Sequence, residues 1–506
     1  MSAPIVWSIA GLDTGGGAGL SADQRAADVM DVHLCPVAAA LTAQNSVAVQ
    51  AMLPVSPERL DAQLAALADD LPPRAIKTGL LGGVEQLRVV TRWVDRLRAR
   101  APVALVVDPV LRASTGASFA DDALLHAYRH ELLPRATVVT PNRREATRLV
   151  GERPVPDQAR ALQALGVSSV CITGGDEHGP LALDWLTSAH AQGWLALPRR
   201  SAANTHGTGC CFATALAAAL ARGFVAADAT VIAKMLTTSG LRDDVAQPGA
   251  GAGPVRPRAE FITDAPLLPA LFDREPTTWP ARRTGPAVDG LYGITDSGAH
   301  AAELFAAGVA TVQLRIKADG AAWDAQLHAE LPVAQQAAQR HGGTLVLNDH
   351  WREALAAGVD FVHLGQEDLL TLNDTDRRDL AQARAQGLRL GLSSHSLWEL
   401  ARAAAWAPDY IACGPVWPTT TKAMSWQPQG LDNLAWWAAM APSPVVGIGG
   451  VLAPEQLAAI ASTGASAGCV VRGLHTVPVA NWQRAWHDGG VAGQQAVGWP
   501  QPTLRD

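Results

Sequence analysis

The sequence has no large excess of one charge, no long uninterrupted apolar run and no basic leader. Its 506 residues carry 40 Lys and Arg against 47 Asp and Glu, so nucleic acid and anionic membranes are not expected as main partners. The best candidate for a membrane span, 210–233, is interrupted by Arg222 and Asp228, which argues against a transmembrane helix. The opening "MSAPIVWSIAG" has no basic region and predicts a first strand, not a signal peptide.

Paired cysteines and two common nucleotide-binding signatures are also missing. No two of the six cysteines form a CxxC pair, which disfavours a disulfide scaffold and a zinc site and makes the cytoplasm the expected location. The chain has no Gly-Lys dipeptide, so a Walker phosphate loop is excluded. The glycine-rich "AGLDTGGGAGLSAD" (10–23) lacks GxGxxG spacing and is not a dinucleotide fingerprint.

Two long regions of the chain alternate short β-rich runs with helical patterns rich in Ala and Leu, a rhythm typical of α/β folds with parallel strands. Between them lie "QPGAGAGPVRPRAEF" and "REPTTWPARRTGPAVDG", whose glycines and prolines sustain neither helix nor central strand. The length also favours more than one domain. We therefore predict one domain over 1–247, a linker over 248–287 and a second domain over 288–500.

The second region contains eight strand candidates, each followed by a helical pattern. They are LYGIT (291–295), TVQLR (311–315), LVLN (345–348), FVHL (361–364), LRLGL (388–392), YIACG (410–414), VVGIG (445–449) and GCVVR (468–472). Eight βα units predict a (β/α)₈ barrel with its chemistry at the carboxyl ends of the strands. A doubly wound open sheet remains the alternative.

In the first region, "THGTGC" (205–210) precedes an alanine-rich helical stretch. Gly207 and Gly209 permit a tight backbone that points successive amides at one spot, and the helix adds its positive end, so we predict an anion-binding hole. Cys210 stands at the start of that helix, where a lowered thiol pKa is expected. A buried cysteine in a helix cap is the competing interpretation.

Six motifs occur in a fixed order along this region: "AGLDTGGGAGLSAD", "TAQNS" (42–46), "IKTGLLG" (76–82), "VVDPV" (106–110), "VTPNRREA" (139–146) and "NTHGTGC" (204–210). Together they resemble the hydroxymethylpyrimidine kinase/phosphomethylpyrimidine kinase family, a branch of the ribokinase-like superfamily, over residues 4–245. The resemblance implies a ribokinase-like α/β sandwich with ATP as co-substrate. Its implied reactions are phosphorylation of 4-amino-5-hydroxymethyl-2-methylpyrimidine and then of the monophosphate.

The resemblance also implies roles for individual residues. These are Gly11, Asp23 and Gln44 for the pyrimidine, with Leu80 as an apolar wall; Gly207, Thr208 and Gly209 for the transferred phosphoryl group; and Asp108, Asn142 and Glu145 for Mg–ATP. Cys210 is implied as the general base that accepts the proton of the substrate hydroxyl. Thr173 stands where the family has the lysine of Lys-Gly-Gly-His, which removes a cation near the ATP phosphates, and Cys211 is assigned a structural role.

In the second region, charged and polar side chains recur at successive strand ends. Gln313, Arg315 and Lys317 alternate along "VQLRIK" and therefore share one face, where two cations and an amide suit a diphosphate. Asp349 and Asp368 follow the next two strands and predict a Mg²⁺ site beside that diphosphate. "GPVWPTTTK" (414–422) supplies hydroxyls and a lysine, and "GIGG" (447–450) supplies bare amides for a phosphate.

This region, 288–490, resembles thiamine phosphate synthase. The resemblance implies Gln313, Arg315, Lys317, Asn348, Ser393 and Lys422 for a pyrimidine diphosphate, Asp349 and Asp368 for Mg²⁺, and Thr419, Thr421, Gly449, Gly450 and Val471 for thiazole phosphate. It implies departure of diphosphate, formation of a pyrimidinylmethyl cation and attack by the thiazole nitrogen. Arg472 stands where serine is usual, and the sequence does not say whether it strengthens or crowds the phosphate site.

Taken together, the two resemblances imply a bifunctional enzyme of thiamine biosynthesis whose first half makes the substrate of its second. The expected partners are small molecules, and a homo-oligomer is possible. Three alternatives stay open at this point: a pyridoxal kinase in the first half, although relatives of that kind usually carry aspartate at the position of Cys210; a barrel that kept the fold without the chemistry; and a ligand sensor without turnover.

Overall fold

The protein was studied as a computed structural model, which describes residues 3–111, 119–175, 177–242, 244–281, 288–317, 320–419, 426–491, 493 and 495–504. The chain forms two compact units, one ending at Trp279 and the other running from Pro280 to Leu504. Within the described ranges, no helix is both long enough and apolar enough to cross a membrane.

The N-terminal unit is built on one ten-stranded sheet. Its strands are β1 (Ile5–Asp13), β2 (His33–Gln44), β3 (Val49–Pro54), β4 (Ala75–Thr78), β5 (Ala104–Val107), β6 (Val138–Val139), β7 (Ser169–Ile172), β8 (Leu181–Thr187), β9 (Gln192–Pro198) and β10 (Ala270–Phe272). Their order is β10-β9-β8-β7-β6-β5-β4-β1-β2-β3. Strands β2, β1, β4, β5, β6 and β7 run parallel, whereas β3 and β8 to β10 add antiparallel edges.

Helices accompany this sheet: α1 (Gly19–Val29), α2 (Pro57–Ala68), α3 (Val84–Arg98), α4 (Asp122–Ala127), α5 (Arg143–Val150), α6 (Val155–Gln163), α7 (Thr208–Ala221) and α8 (Ala226–Ser239). The short central strands are almost wholly buried, as expected for parallel strands with helices on both faces. Six of the 14 residues of helix α7 are alanines, and the helix packs against α1, α8, β4 and β5. Its first turn is therefore held beside the carboxyl ends of the central strands.

The predicted linker, 248–287, is more ordered than its composition indicates. Residues Ala259–Thr263 and Ala265–Leu267 form two 3₁₀ turns, and β10 pairs antiparallel with β9 at the edge of the sheet. Between the two glycine- and proline-rich stretches lies "FITDAPLLPALF", whose Phe261, Leu267 and Leu271 are buried. Burial of these apolar side chains offsets the ordering of the backbone, so this part of the predicted linker belongs to the N-terminal unit.

The second unit confirms the predicted barrel. Its strands are β11 (Gly290–Thr295), β12 (Thr311–Leu314), β13 (Thr344–Asn348), β14 (Phe361–Leu364), β15 (Arg389–Ser394), β16 (Tyr410–Cys413), β17 (Val445–Ile448) and β18 (Ala467–Val470). All neighbours are parallel, and β18 pairs with β11 to close the barrel. This closure excludes the alternative of an open sheet.

The helices of the barrel unit are α9 (Gly298–Ala306), α10 (Ala321–His341), α11 (Trp351–Ala356), α12 (Gln366–Thr371), α13 (Asp374–Ala385), α14 (Leu397–Trp406), α15 (Gly430–Met440), α16 (Pro454–Ala461) and α17 (Val479–Val491). Side chains such as Val346, Phe361, Val446 and Cys469 form a buried cluster inside the barrel. Because every strand runs the same way, all eight carboxyl ends meet at one rim.

Candidate active sites

The start of α7 has the geometry of the predicted anion hole. Gly207 caps the helix with a φ of 88°, a left-handed conformation that favours glycine. A Cβ at this position would lie 2.3 Å from the carbonyl oxygen of Gly17. The first-turn amides of Gly209 and Cys210 have no intrahelical acceptor and lie at the positive end of the helix, whereas the amide of Thr208 donates to the carbonyl oxygen of Thr205 at 3.4 Å. Backbone groups alone thus supply a site for negative oxygen.

The glycine-rich loop after β1 is held against this hole by one carboxylate. Asp13 accepts the amides of Gly15, Gly17 and Ala18 at 2.8–3.0 Å, and Nε2 of His206 lies 3.1 Å from its Oδ2. Burial acts to raise the pKa of Asp13, but the His206 bond and the amide bonds outweigh it and lower that pKa. Asp13 is therefore an ionised anchor that ties the loop to "THGTGC".

A buried lysine that the sequence interpretation missed lies close to Cys210 at the start of α7. Lys77, on β4, is fully buried, and its ammonium lies 2.9 and 3.0 Å from the two oxygens of Asp23. Burial acts to lower the pKa of Lys77, but the charges of Asp23, Cys210 and Asp108 raise it overall. The clue in the sequence was a lysine inside the apolar run "AIKTGLL", because a buried lysine requires carboxylate partners.

Asp23 itself has its hydrogen-bonding capacity taken up inside the protein. Besides Lys77, it accepts the hydroxyls of Ser8 at 2.6 Å and Thr214 at 2.8 Å, and its side chain is fully buried. The resemblance implied that Asp23 binds the pyrimidine, whereas its contacts in the structure are those of a counter-ion for Lys77. Gln44 and Gly11 are placed differently: Gln44 is half-buried, with Nε2 3.2 Å from the ring of His206, and Gly11 lies against Leu80.

Asp108 keeps a carboxylate oxygen that no described group satisfies. Its Oδ2 is buried and lies 4.0 Å from Nζ of Lys77, beyond hydrogen-bond distance. Burial and the charge of Asp23 raise the pKa of Asp108 to about 6, against the lowering effect of Lys77. An unsatisfied buried oxygen costs free energy unless a ligand supplies a partner, so this atom fits a cation or a donor brought by the substrates.

The expected lowering of the Cys210 pKa is wrong for this structure. The thiol is half-buried at the helix start, but burial raises its pKa to about 12, and Lys77 and the Gly19 amide only partly counteract this while Asp23 and Asp108 add to it. The helix end and the lysine therefore do not create a resting thiolate. The adjacent Cys211 is buried, with its sulfur 3.6 Å from the carbonyl oxygen of Ala22.

Asn142 and Glu145, implied for Mg–ATP, form a capping box at the start of α5. The Asn142 side chain accepts the amide of Glu145 at 2.9 Å, and Glu145 accepts the amide of Asn142 at 3.0 Å and that of Leu111 at 3.1 Å. These bonds fix the segment leading away from β5. Thr173 lies next to Asn142, to which it is bridged in parallel, so the position that lacks the lysine borders the same site.

The carboxyl ends of the barrel strands surround one cavity of about 520 Å³. The predicted residues that line it are Gln313, Arg315, Lys317, Asn348, Asp349, Asp368, Ser393, Thr419, Gly449, Gly450 and Val471, together with Arg472. Thr421 and Lys422 lie outside the described residues. Residues separated by more than 150 positions in the chain are thus brought to a single pocket by the barrel closure.

Two carboxylates and two cations face this cavity from neighbouring strand ends. Asp349 has a φ of 68°, a conformation that Asp tolerates better than most residues. Asp368 caps α12, accepting the amide of Gly365 at 2.7 Å through Oδ2. Arg315 and Lys317 follow β12 on the same lining. Opposite charges on one wall suit a polyanion that carries a divalent cation.

The loop after β17 presents backbone to the cavity. Gly449 and Gly450 have φ angles of 96° and 75°, and a Cβ on either would lie 2.6 Å from an atom of Pro415 or Trp417. Only glycine therefore permits this close, left-handed turn. Arg472, whose consequence the sequence left open, lines the same cavity and adds a cation to the lining that contains these amides.

The sequence interpretation also missed three polar side chains of the cavity floor. Tyr292, His363 and Tyr410 are buried and line the cavity. The hydroxyl of Tyr410 is hydrogen-bonded both to the hydroxyl of Tyr292 and to the ring of His363. A signal was available, because the chain has only 3 tyrosines and two of them lie in predicted barrel strands.

Family models match both units. Residues 13–256 match the family described as phosphomethylpyrimidine kinase, and residues 291–474 match the family described as thiamine monophosphate synthase. A pyridoxal kinase of Bacillus subtilis, solved as an ADP complex, aligns with 51% of this chain and 98% of its own at 29% identity, with a TM-score of 0.47.

Two relatives align with both units at once. A probable chloroplastic thiamine biosynthetic bifunctional enzyme of Oryza sativa is 32% identical over 88% of this chain and 81% of its own length. A chloroplastic thiamine biosynthetic bifunctional enzyme of Arabidopsis thaliana is 31% identical over 88% of this chain and 85% of its own. The chain therefore belongs to the thiamine biosynthetic bifunctional enzymes, in which a ribokinase-like phosphomethylpyrimidine kinase domain is fused to a thiamine monophosphate synthase barrel.

Proposed function

We propose that the N-terminal unit transfers phosphoryl groups from ATP to hydroxymethylpyrimidine and to its monophosphate, and that the barrel joins the resulting diphosphate to thiazole phosphate. The products of the second step are thiamine phosphate and diphosphate. The observation that carries the proposal is the convergence of the sequence-predicted barrel residues on one cavity of about 520 Å³.

In the kinase unit, the first-turn amides of α7 are proposed to hold the oxygens of the transferred phosphoryl group. Phosphoryl transfer depends mostly on positioning and on stabilising charge. Backbone amides fixed by Gly207 and by the buried α7 meet that need without reorganisation. Lys77 lies beside this site with a counter-ion already in place, so it adds positive potential while staying fixed.

Cys210 is proposed as the acceptor of the substrate proton, but not as a standing thiolate. A pKa raised to about 12 leaves the thiol protonated near neutral pH. Only the thiolate form can accept a proton from the substrate hydroxyl, because the neutral thiol already carries its own. The small thiolate fraction therefore sets the rate at which this route operates, and that fraction increases with pH.

In the barrel, Arg315 and Lys317 are proposed to bind the diphosphate of the pyrimidine substrate and to stabilise it as it leaves. Their charges act at the place where negative charge accumulates during departure. Gly449 and Gly450 offer amides to the phosphate of the thiazole, and Arg472 adds a cation on the same lining. A single cavity that binds both partners holds them in reach of each other, which converts an encounter in solution into a reaction between bound groups.

Mg²⁺ is proposed at Asp349 and Asp368. Described residues contain no group of three or more His, Cys, Asp or Glu that would hold a metal alone. Two carboxylates on one cavity nevertheless fit this ion, because Mg²⁺ usually takes one or two carboxylates and completes its shell with water and substrate phosphate. When bound, it would neutralise the diphosphate; the chain's own residues orient that group through Arg315 and Lys317.

The proposal is tested by incubating the whole protein with hydroxymethylpyrimidine, ATP, Mg²⁺ and thiazole phosphate and measuring thiamine phosphate. Supplying the pyrimidine diphosphate directly isolates the barrel reaction, and measuring ADP without thiazole phosphate isolates the kinase. The matched variants are Cys210→Ala, expected to impair only ADP formation, and Asp368→Asn, expected to impair only the barrel reaction. Absence of thiamine phosphate under all these conditions would refute the proposal.

A further inference from the structure

Six polar side chains, one from each of the strands β11 to β16, form an unbroken chain of hydrogen bonds across the floor of the barrel cavity. We refer to them as the floor chain. In the order of their bonds they are Asn348, Gln313, Tyr292, Tyr410, His363 and Ser393. The sequence resemblance implies that Asn348, Gln313 and Ser393 bind the pyrimidine diphosphate, whereas Tyr292, Tyr410 and His363 have no role in the function proposed above.

The contacts of the floor chain are short. Nε2 of Gln313 donates to Oδ1 of Asn348 at 2.5 Å, and the hydroxyl of Tyr292 donates to Oε1 of Gln313 at 2.9 Å. The hydroxyls of Tyr292 and Tyr410 are 2.9 Å apart. Asn348 and Gln313 also line the cavity beside Arg315. This half of the chain therefore ends at the predicted anion-binding wall.

The other half joins Tyr410 to Ser393 through an imidazole. Nδ1 of His363 lies 2.8 Å from the hydroxyl of Tyr410, and Nε2 lies 2.9 Å from Oγ of Ser393. The rings of His363 and Tyr410 are stacked with an interplanar angle of 17°, which holds the imidazole in place. Tyr410 is 1% exposed and His363 is 9% exposed, so the bond between them is shielded from water, whereas Ser393 is half-buried at the cavity.

Counting hydrogens makes all bonds of the floor chain run one way, and the orientation of the Gln313 amide sets which way. A tyrosine hydroxyl has a single proton, and that of Tyr292 is committed to Gln313. Tyr410 must therefore donate to Tyr292, and its own oxygen must accept the Nδ1 proton of His363. Turning the amide of Gln313 over would reverse every bond, since no step allows two donors or two acceptors to meet.

The surroundings of His363 settle what happens at the last bond. Its ring is buried between the hydroxyls of Tyr410 and Ser393, and an imidazole with two neutral partners is neutral above its ordinary pKa of about 6.5. With Nδ1 protonated, Nε2 of a neutral imidazole has only a lone pair, and it accepts the proton of Ser393. Oγ of Ser393 then has only lone pairs left for the cavity.

We propose that Tyr292, Tyr410 and His363 are positioning residues that fix Ser393 as a hydrogen-bond acceptor toward the substrate. At the other end of the floor chain, Asn348 becomes a donor through its amide nitrogen. The inference rests on the proposed function of the barrel and deepens it, because it specifies which hydrogen-bonding pattern the substrate must present. A donor at Asn348 suits an anion bound at the neighbouring Arg315, because that anion would repel a carbonyl oxygen.

The consequence is a rule of specificity. We place the exocyclic group of the bound ring against Ser393, so that the site accepts a group that donates a hydrogen bond, as the 4-amino group of the pyrimidine does. A ring with an oxo group at that position places one acceptor against another and leaves both without a partner. Sites built to pair with a polar substrate group reject an analogue that mismatches it far more strongly than an apolar pocket does.

The direction of the floor chain is tested without any assay of activity. The whole protein, with its histidines labelled with ¹⁵N, is examined by long-range ¹H–¹⁵N correlation, and the His363→Gln variant identifies the signal of His363. We expect Nδ1 to be the protonated nitrogen and Nε2 the pyridine-like one. A signal with Nε2 protonated, or with both nitrogens protonated, would overturn the proposal.

The functional consequence is tested with Tyr410→Phe. This variant leaves the Nδ1 proton of His363 without an acceptor, so the proton moves to Nε2 and the hydroxyl of Ser393 turns its own proton to the cavity. We expect the ratio of kcat/KM for the 4-amino diphosphate to that for its 4-oxo analogue to fall at least tenfold. The ratio is independent of how much protein folds, because both substrates are measured on one preparation.

Tyr128→Phe is the matched control, since it removes another buried tyrosine hydroxyl, in the N-terminal unit, and should leave the ratio unchanged. An unchanged ratio in Tyr410→Phe would refute the proposed positioning role. If the predicted tautomer is found but neither diphosphate reacts even in the wild type, the proposed function fails and the floor chain stands. If the amino substrate reacts and the tautomer is reversed, the floor chain fails alone.

Discussion

At the scale of single residues, the kinase site is governed by the balance of charges around Lys77. One ammonium is surrounded by Asp23, Asp108 and the thiol of Cys210, and none of these groups is fully exposed. Burial raises the pKa values of Asp108 and Cys210 despite the neighbouring cation. The reactivity of this site therefore depends on the intrinsic pKa of the side chain at position 210 as well as on the charges that surround it.

A pH profile follows from this balance. The wild-type pKa of Cys210 is raised to about 12, so the deprotonated fraction increases by about tenfold per pH unit below that value, and kcat/KM for hydroxymethylpyrimidine should increase with it. In Cys210→Asp the profile should become flat at much lower pH, because a carboxyl ordinarily ionises near pH 4. ADP release measured between pH 6.5 and 9.5 gives both profiles.

Cys211→Ala provides the control for that measurement, since the adjacent thiol is buried and its pKa is also raised by burial. Its profile should match that of the wild type. A wild-type profile that is already flat from pH 6.5 would mean that no thiol ionises in the step that limits the rate.

The missing cation at Thr173 leads to a second prediction at this scale. Thr173 is bridged to Asn142, beside the proposed ATP site, and stands where the sequence resemblance implies a lysine. We expect Thr173→Lys to lower the KM for ATP about fivefold, which corresponds to about 1 kcal/mol. Initial rates at varied ATP test this; Thr173→Met, of similar length without charge, should give no such gain, and equal effects of both variants would contradict the electrostatic explanation.

At the scale of elements, the turn between β17 and α16 depends on glycine. A Cβ at Gly450 would lie 2.6 Å from Cβ of Trp417, at a φ of 75°. We expect Gly450→Ala to displace the amides of this turn and raise the KM for thiazole phosphate at least tenfold, since such strain costs about 1–3 kcal/mol. Gly490→Ala, in a helix where a Cβ meets nothing within 4 Å, should leave that KM unchanged, and an equal change in both variants would refute the role of the turn.

The barrel elements could be predicted from sequence because each strand was an apolar run followed by a helical pattern, and β11 to β18 lie where the runs do. Strand β10 could not be predicted in this way: three residues between proline-rich stretches give no periodicity, and only pairing with β9 makes them a strand. The cavity lining at Arg315, Asp349 and Gly450 followed from strand ends. The ion pair between Lys77 and Asp23 could not be predicted from the sequence, because it joins residues 54 positions apart.

At the scale of the whole molecule, each unit contains its own complete set of proposed catalytic groups. Cys210 belongs to the first unit and Asp368 to the second. A mixture of Cys210→Ala and Asp368→Asn chains should therefore make thiamine phosphate from hydroxymethylpyrimidine, with a lag while the diphosphate accumulates in solution. Product formation is followed over time, with each variant alone as the control; a mixture that stays inactive although each variant retains one activity would contradict independent sites.

The edge strand β10 has a consequence for how the first unit can exist by itself. Every residue proposed for phosphoryl transfer precedes it in the chain, yet without it β9 would present unpaired amides and carbonyls, the pattern that recruits foreign strands into aggregates. A fragment ending at residue 247 should accordingly precipitate or associate in light scattering, and one ending at residue 279 should stay dispersed. During translation, the nascent kinase unit would therefore expose the unpaired edge of β9 until the residues of β10 have emerged from the ribosome.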